Sequence, residues 1–167
     1  MLWGMGTGAQ ILQKIMLHEM LRGFQFRGTQ CRIHTAGTGT ENFEIKYLPA
    51  RQTMLYELNY FIALKPENFK SWQELPTAQQ RMLRLQQLLI NNIAMFCKAA
   101  GFTLDKEKLY CEIHWLWHTR WVLIKEHKVL AFTLTYTSNL QLPDGIALGR
   151  QTKLGYGWQT IRTNAND

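Results

Sequence analysis

Seven apolar residues downstream of Pro76 constrain the fold of this chain most. Ala78, Met82, Leu85, Leu89, Ile93, Phe96 and Ala100 fall at spacings of four, three, four, four, three and four. An α-helix turns once in about 3.6 residues, so these side chains lie along one face. The pattern predicts a single helix between Pro76 and Gly101 with one face that must be buried. Thr77 and Gln80 have the form of a capping box, in which each side chain satisfies an orphan donor of the first turn. Gly101 suits the left-handed conformation that closes a last turn.

The segments beyond that helix carry a strand period. In "LYCEIHWLW", Leu109, Cys111, Ile113, Trp115 and Trp117 alternate with Tyr110, Glu112, His114 and Leu116. This predicts one inward and one outward face. Two of the three tryptophans Trp115, Trp117 and Trp121 then belong to the core, and His114 lies with Glu112 on the solvent side. "VLAFTLTYT" alternates as cleanly, with Leu130, Phe132, Leu134 and Tyr136 against Ala131, Thr133, Thr135 and Thr137. Lys125 to Lys128 read as the turn between the two strands. Tyr56 to Leu64 reads as a buried strand, and "YGWQTIR" as a last short one.

Nearer the start, Gly8 to Arg22 has helical spacing, with Gly23 as its stop. "GFQFRGTQCRIHT" has strand character to Thr35, and "AGTGTEN" is a loop. The later order is strand, long helix, strand, strand, loop, strand. That order predicts an α+β architecture, with helices on one face of an antiparallel sheet.

A chain of 167 residues builds one domain, or two small halves sharing a core. Its net charge of +7 favours a polyanionic partner, nucleic acid or a membrane surface. No apolar run approaches the roughly 20 residues of a membrane span. The start lacks the basic and apolar regions of a signal peptide, so a cytoplasmic location is expected. Cys31, Cys97 and Cys111 are an odd, sparse set that fits a reducing compartment. Cys111, His114 and His118 invite a zinc reading. However, strand positions four apart are separated by about 13 Å, and Cys111 points away from both histidines. No metal site and no cofactor are expected.

"LPDGIALGRQTKLGYGW", Leu142 to Trp158, holds Gly145, Gly149, Gly155 and Gly157 around Arg150 and Lys153, with Tyr156 and Trp158 following. Glycine reaches positive φ and removes the side chain that keeps a ligand away. Bare N–H groups can form a concave anion site, and Arg150 and Lys153 can add a fork and a point charge for phosphate. No acidic residue occurs from Gly145 to Thr163. The plainer reading is a glycine-rich turn into an edge strand. No Gly-Lys-Ser/Thr triplet occurs, so this is not a Walker loop. Arg120, Lys125 and Lys128 near the hairpin extend the basic character, and we expect one basic surface from hairpin and loop together.

"TLTYTSNLQLPDGIALGRQTKLGYGW" resembles the closing segment of the CRISPR-associated repeat-RNA processing endoribonucleases of the RAMP superfamily. In that family a strand is followed by N-x-x-(L/I)-P-D, then (I/L)-G-L-G-(K/R) and G-(F/Y)-G. Asn139, Pro143, Asp144, Gly145, Gly149, Arg150, Gly155, Tyr156 and Gly157 stand in those places, and Ala147 stands where a glycine is commoner. "YFIALKPENFKSWQEL" looks like the family's entry segment and "LLINNIAMFCKAAGF" like its long helix. The resemblance spans about Tyr56 to Trp158, with a weaker match at "GAQILQKIML".

The resemblance implies ferredoxin-like halves, here a remnant of the first over residues 1–50 and a C-terminal RNA-binding domain over 51–167. It implies binding of CRISPR repeat RNA and metal-independent cutting, in which the RNA's 2′-hydroxyl attacks and a cyclic phosphate is left. The RNA-binding residues so implied are Gly145, Gly149, Arg150, Lys153, Gly155, Tyr156 and Gly157, to which the basic hairpin adds Arg120, Lys125 and Lys128.

The family's catalytic histidine lies in the first half, and no histidine of this chain matches its place. The chain begins late in that half, or is a shortened relative that binds without cutting, or is completed by a partner. His18 reads as an exposed helix residue, and His34 as a surface residue or a base near RNA. His127 lies within reach of phosphate, and none of the five histidines is assigned as catalytic. Three functions follow. The first is a repeat-RNA processing nuclease or its remnant. The second is a non-catalytic RNA-binding subunit of a CRISPR effector complex. The third is an enzyme on a phosphorylated small molecule, for which no nucleophile–base or metal constellation is present.

Overall fold

The computed structural model describes residues 7–26, 28–31 and 43–162. The chain falls into two compact units, Met1–Phe43 and Glu44–Asp167. In the first, helix α1 spans Thr7–Arg22. Gly23 ends it at φ +72°, its N–H donating to the Glu19 carbonyl at 2.8 Å. Strands β1 (Phe24–Phe26) and β2 (Thr29–Cys31) then form an antiparallel hairpin. The single strand expected here is thus two, because Gly28 at φ +81° reverses the chain. Residues 32–42, with His34 and the expected loop, lie outside the described residues.

In the second unit, β3 (Lys46–Tyr47) precedes β4 (Met54–Phe61). Helices α2 (Pro66–Gln73) and α3 (Ala78–Ala99) follow, then the long strands β5 (Cys111–Ile124) and β6 (His127–Ser138). β7 (Leu140–Gln141), a 3-10 turn (Thr152–Leu154) and β8 (Trp158–Ile161) close the chain. Four strands make one antiparallel sheet in the order β5-β6-β4-β8. β4 and β5 are joined through α3 with β6 lying between them, a split β-α-β unit. The architecture is α+β and ferredoxin-like. The connection from β6 to β8 is the glycine-rich segment, which occupies the place of a second crossover helix.

Helix α3 forms as its pattern predicts. Thr77 accepts the Gln80 N–H, and the Gln80 side chain accepts the Thr77 N–H in return. At its end the Phe102 N–H donates to the Cys97 carbonyl and that of Gly101 to the Lys98 carbonyl. With Gly101 at φ +79°, this is a Schellman closure. Leu85, Leu89, Ile93 and Cys97 are buried against Tyr56, Leu58, Phe61, Phe132, Leu134 and Tyr136 of the sheet. Ala78 and Ala100, the ends of the expected stripe, are exposed, and Cys97 supplies the last buried turn instead.

The side chains of β6 alternate in direction as read, but Ala131, Thr133 and Thr135, on the face away from the helices, are buried too; β5 does not alternate. Cys111 and Ile113 point to the core. Register shifts between Ile113 and Trp115, and between Leu116 and His118, each place an extra residue in the strand. The first bulge flips the faces and the second restores them, so Trp121 returns to the helix side opposite Leu130. Trp115 therefore sits opposite Thr135 on the open face of the sheet, and Leu116 opposite Leu134. Trp115 and Trp117, the two expected in the core, are 68% and 59% exposed, which corrects their place; Trp121, on the helix side, is 52% exposed. The hairpin turn is also tighter than expected. Lys125 and Glu126 alone form it, with Lys125 at φ +55°, and His127 already begins β6.

Candidate nucleic-acid interface

The glycine-rich segment is a strap tied to the sheet at both ends. Asn139 fastens its entry, accepting the Tyr110 N–H at 2.8 Å and donating to the Lys108 carbonyl at 2.8 Å. The buried Tyr56 hydroxyl donates to the Leu140 carbonyl at 3.0 Å and accepts the Leu142 N–H at 2.9 Å. Burial pushes that phenol up to about 12, with the Leu142 N–H opposing. Leu140, Leu142, Ile146 and Leu148 fill the core beneath. Gln159, fully buried, accepts from the Tyr136 hydroxyl and donates to the Pro143 carbonyl at 3.2 Å. Asp144 accepts the Ile161 N–H at 2.7 Å.

The glycines serve this packing. Gly149 lies at φ +101°, and a Cβ there would come within 2.7 Å of the Phe61 ring. The N–H groups of Gly145, Arg150 and Gly157 donate to the carbonyls of Gln159, Ile62 and Tyr60 at 3.0–3.1 Å. The Leu148 N–H donates to Gly157 at 2.8 Å. The expected row of bare N–H groups is corrected at these four positions: each is paired, because the strap runs as an irregular ribbon against β4 and β8. Asp144, Arg150, Gln151, Lys153, Leu154 and Gly155 of the strap are exposed, with Tyr156 half-buried. A Cβ on Gly155 would meet nothing within 4 Å.

The basic residues of the hairpin are placed differently. Arg120 pairs across from Ala131 on the open face of the sheet, and Lys128 pairs with Leu123 near the turn. Arg120, Lys125, Lys128, Arg150 and Lys153 are all exposed. Among the described residues none of the five enters an ion pair, so each charge is uncommitted. Tyr60, Val122 and Tyr156 pack on a small cluster of Ile62, Ile124, Val129 and Ala131. That cluster links the base of the strap to the hairpin on the open face.

The described histidines are scattered. His114 lies 2.8 Å from the Thr137 hydroxyl, and the His118 ring stands edge-on to Tyr60 with centroids 6.1 Å apart. His18 contacts Glu19 at 3.1 Å. Cys111 is buried on the helix side, whereas His114 and His118 are exposed, so the three do not converge on one ion. Reading the chain alone missed Tyr56 and Gln159 as fasteners of the strap. Their partners lie 84, 86, 23 and 16 residues away, beyond any local pattern.

Residues 49–162 match the family model of the Cas6b C-terminal domain. The chain belongs to the Cas6b family. That match takes in the whole sheet, α3 and the strap. Among curated proteins none matches. A crystal structure of Cas6b aligns with a TM-score of 0.62 at 23% identity, over 70% of this chain and 67% of that one. A crystal structure of the CRISPR RNA processing endoribonuclease Cas6b aligns with a TM-score of 0.72 at 20% identity, over 95% and 73%. Csf5, a CRISPR-Cas type IV Cas6 crRNA endonuclease, aligns with a TM-score of 0.55 at 13% identity, over 71% and 46%. At these identities the likeness to the solved structures establishes the fold.

Proposed function

We propose that this Cas6b-family chain binds CRISPR repeat RNA through its C-terminal ferredoxin-like domain, residues 51–167, with residues 1–50 belonging to a first such domain. The observation that carries this reading is the family match over residues 49–162, whose strap presents Arg150 and Lys153 as uncommitted cations. Two of the solved relatives are, by their titles, an endoribonuclease that processes CRISPR RNA and a crRNA endonuclease. Arg150, Lys153, Gly155 and Tyr156 meet the RNA in this reading, and Arg120, Lys125 and Lys128 extend the contact. Gly145, Gly149 and Gly157 act through the backbone by holding the strap in place. The protein works in the cytoplasm, with CRISPR RNA and CRISPR effector subunits as its partners.

The reaction class is metal-independent strand cleavage. The RNA's 2′-oxygen attacks the adjacent phosphorus, a base takes its proton, and the 5′-oxygen leaves as it is protonated. The products are a 2′,3′-cyclic phosphate and a 5′-hydroxyl. A base and an acid in position contribute typically about 10²–10⁴-fold. Cations placed on the phosphorane oxygens contribute by electrostatic stabilisation. The chain supplies cations on the strap, whereas His114, His118 and His127 of the second unit lie apart from one another along β5 and at the start of β6. That scatter favours a second reading, in which this chain binds repeat RNA and cuts it poorly.

Labelled repeat RNA incubated with the chain in EDTA separates the two. Slow or absent cutting with retained, salt-dependent binding is expected. Efficient cutting lost in His34→Ala or His127→Ala would assign the base and reject the second reading. No binding at any salt concentration would reject the RNA function itself.

A further inference from the structure

A cleft on the helix side of the sheet lies apart from the strap. It encloses about 140 Å³ between the start of α2 and the hairpin, and Leu64, Lys65, Phe69, Trp121, Lys128 and Leu130 line it. The pockets that enclose whole small molecules are larger, about 300–1,000 Å³, so this one has room for a single ring system. Phe69 and Trp121 stand edge to face, with centroids 4.8 Å apart and planes at 71°. That contact covers at most one face of the indole, and Trp121 is 52% exposed. The floor is apolar, from Leu64 and Leu130.

Two lysines flank the opening. Lys128 enters no ion pair among the described residues. Lys65 reaches Glu67 at 3.8 Å, with both side chains more than half exposed. An exposed pair of that kind is weak, which leaves Lys65 available to a stronger anion. An aromatic wall, an apolar floor and flanking cations together suit a flat ring carried on a phosphate chain.

We propose that this cleft takes one unpaired nucleobase of the bound RNA, stacked on the Trp121 indole, with the neighbouring phosphates held by Lys65 and Lys128. The proposal rests on the RNA-binding reading above and adds a second point of contact to the strap. It makes Trp121 a residue that selects an unpaired nucleotide, whereas the exposed cations alone read only charge.

The test uses the full chain and a synthetic repeat RNA with single-stranded flanks. Each flanking nucleotide is replaced in turn by an abasic spacer. One position is expected to weaken wild-type binding by about 5- to 150-fold, the range of one base–aromatic stack. Trp121→Ala is expected to lose a similar factor and to become insensitive to that same position, whereas Trp121→Phe retains sensitivity. The Lys65→Gln/Lys128→Gln variant keeps the apolar walls. It is expected to lower the slope of log affinity against log salt by about 1.4, or about 0.7 for each phosphate contact. Salt-dependent wild-type binding that is insensitive at every flanking position overturns the cleft and leaves the RNA reading standing. So does Trp121→Ala with wild-type affinity, including the case in which it only abolishes self-association. If the wild-type chain binds no RNA, both readings fall. The abasic scan needs no variant, so a poorly folded Trp121→Ala does not remove the test.

Discussion

A Cβ on Gly157 would lie 1.8 Å from the carbonyl oxygen of Leu148. The two residues face each other across the strap, where the Leu148 N–H donates to the Gly157 carbonyl at 2.8 Å. Gly157 also sits at φ +74°, a region that L side chains rarely adopt. Steric crowding and backbone strain thus act on one atom. Gly157→Ala is expected to destabilise by about 2–5 kcal/mol, from overpacking and left-handed strain combined. Gly155→Ala is expected to lose only about 1–2 kcal/mol, since its φ is +85° but its surroundings are open. Urea unfolding of the two variants measures the difference, and equal losses would contradict the account.

The tryptophans of β5 give a second comparison. Trp115 is 68% exposed, whereas Leu134 beneath the sheet is fully buried. Trp115→Ser is expected to change stability by less than about 1 kcal/mol, and Leu134→Ala to cost about 2–5 kcal/mol. A Trp115→Ser variant that unfolds as readily as Leu134→Ala would mean that the bulges do not turn this side chain outward.

The buried thiols set a pH window. Burial pushes Cys97 up to about 11 and Cys111 up to about 12, from an ordinary value near 9. The unfolded chain therefore loses these protons first, and above about pH 9 it binds fewer protons than the folded chain. Stability falls wherever the folded state holds more protons. The unfolding midpoint is expected to be insensitive to these thiols below about pH 9 and to decline from there toward pH 11–12. Cys111→Ala should flatten part of that decline. In the folded chain at pH 8, iodoacetamide is expected to modify the half-buried Cys31 well before Cys97 or Cys111.

Charge on the strap separates from its structure. Arg150 and Lys153 are exposed and unpaired among the described residues, so Arg150→Gln and Lys153→Gln are each expected to alter stability by less than about 0.5 kcal/mol. If each contacts one phosphate, each change lowers the salt slope of RNA binding by about 0.7. Asp144→Ala should behave in the opposite way. It removes the acceptor of the solvent-accessible Ile161 N–H, so stability drops by about 0.5–1.5 kcal/mol. Titration at several salt concentrations, beside a denaturation curve, reads both effects.

Helix α3 was legible in its caps and in the middle of its stripe, because what specifies them is local. The capping pair lies three residues apart, the stripe repeats every turn, and the closing glycine follows at once. The direction of each β6 side chain was legible for the same reason, although both faces of this central strand turn out to be buried. The glycine motif was enough to point to the family, and the match over residues 49–162 agrees. Its meaning was not visible in the sequence. A glycine needed for close approach to Leu148 or Phe61 looks the same on the page as one that opens a path to a phosphate.

The faces of β5 were decided only in three dimensions. A bulge arises from how a strand pairs with its neighbour, and the two register shifts in β5 exist only against β6. The first inserted residue reverses the faces and the second restores them, so a pattern of alternating aromatics assigned Trp115 to the wrong side and could not see that Trp117 falls in a bulge. The strap's hydrogen bonds have the same origin. Tyr56 and Gln159 hold it through partners brought close by the sheet order, and a backbone N–H is free or committed according to which carbonyl the fold brings to it. Short-range periodicity thus determined the elements and their caps, while register and long-range pairing determined which of their residues meet solvent.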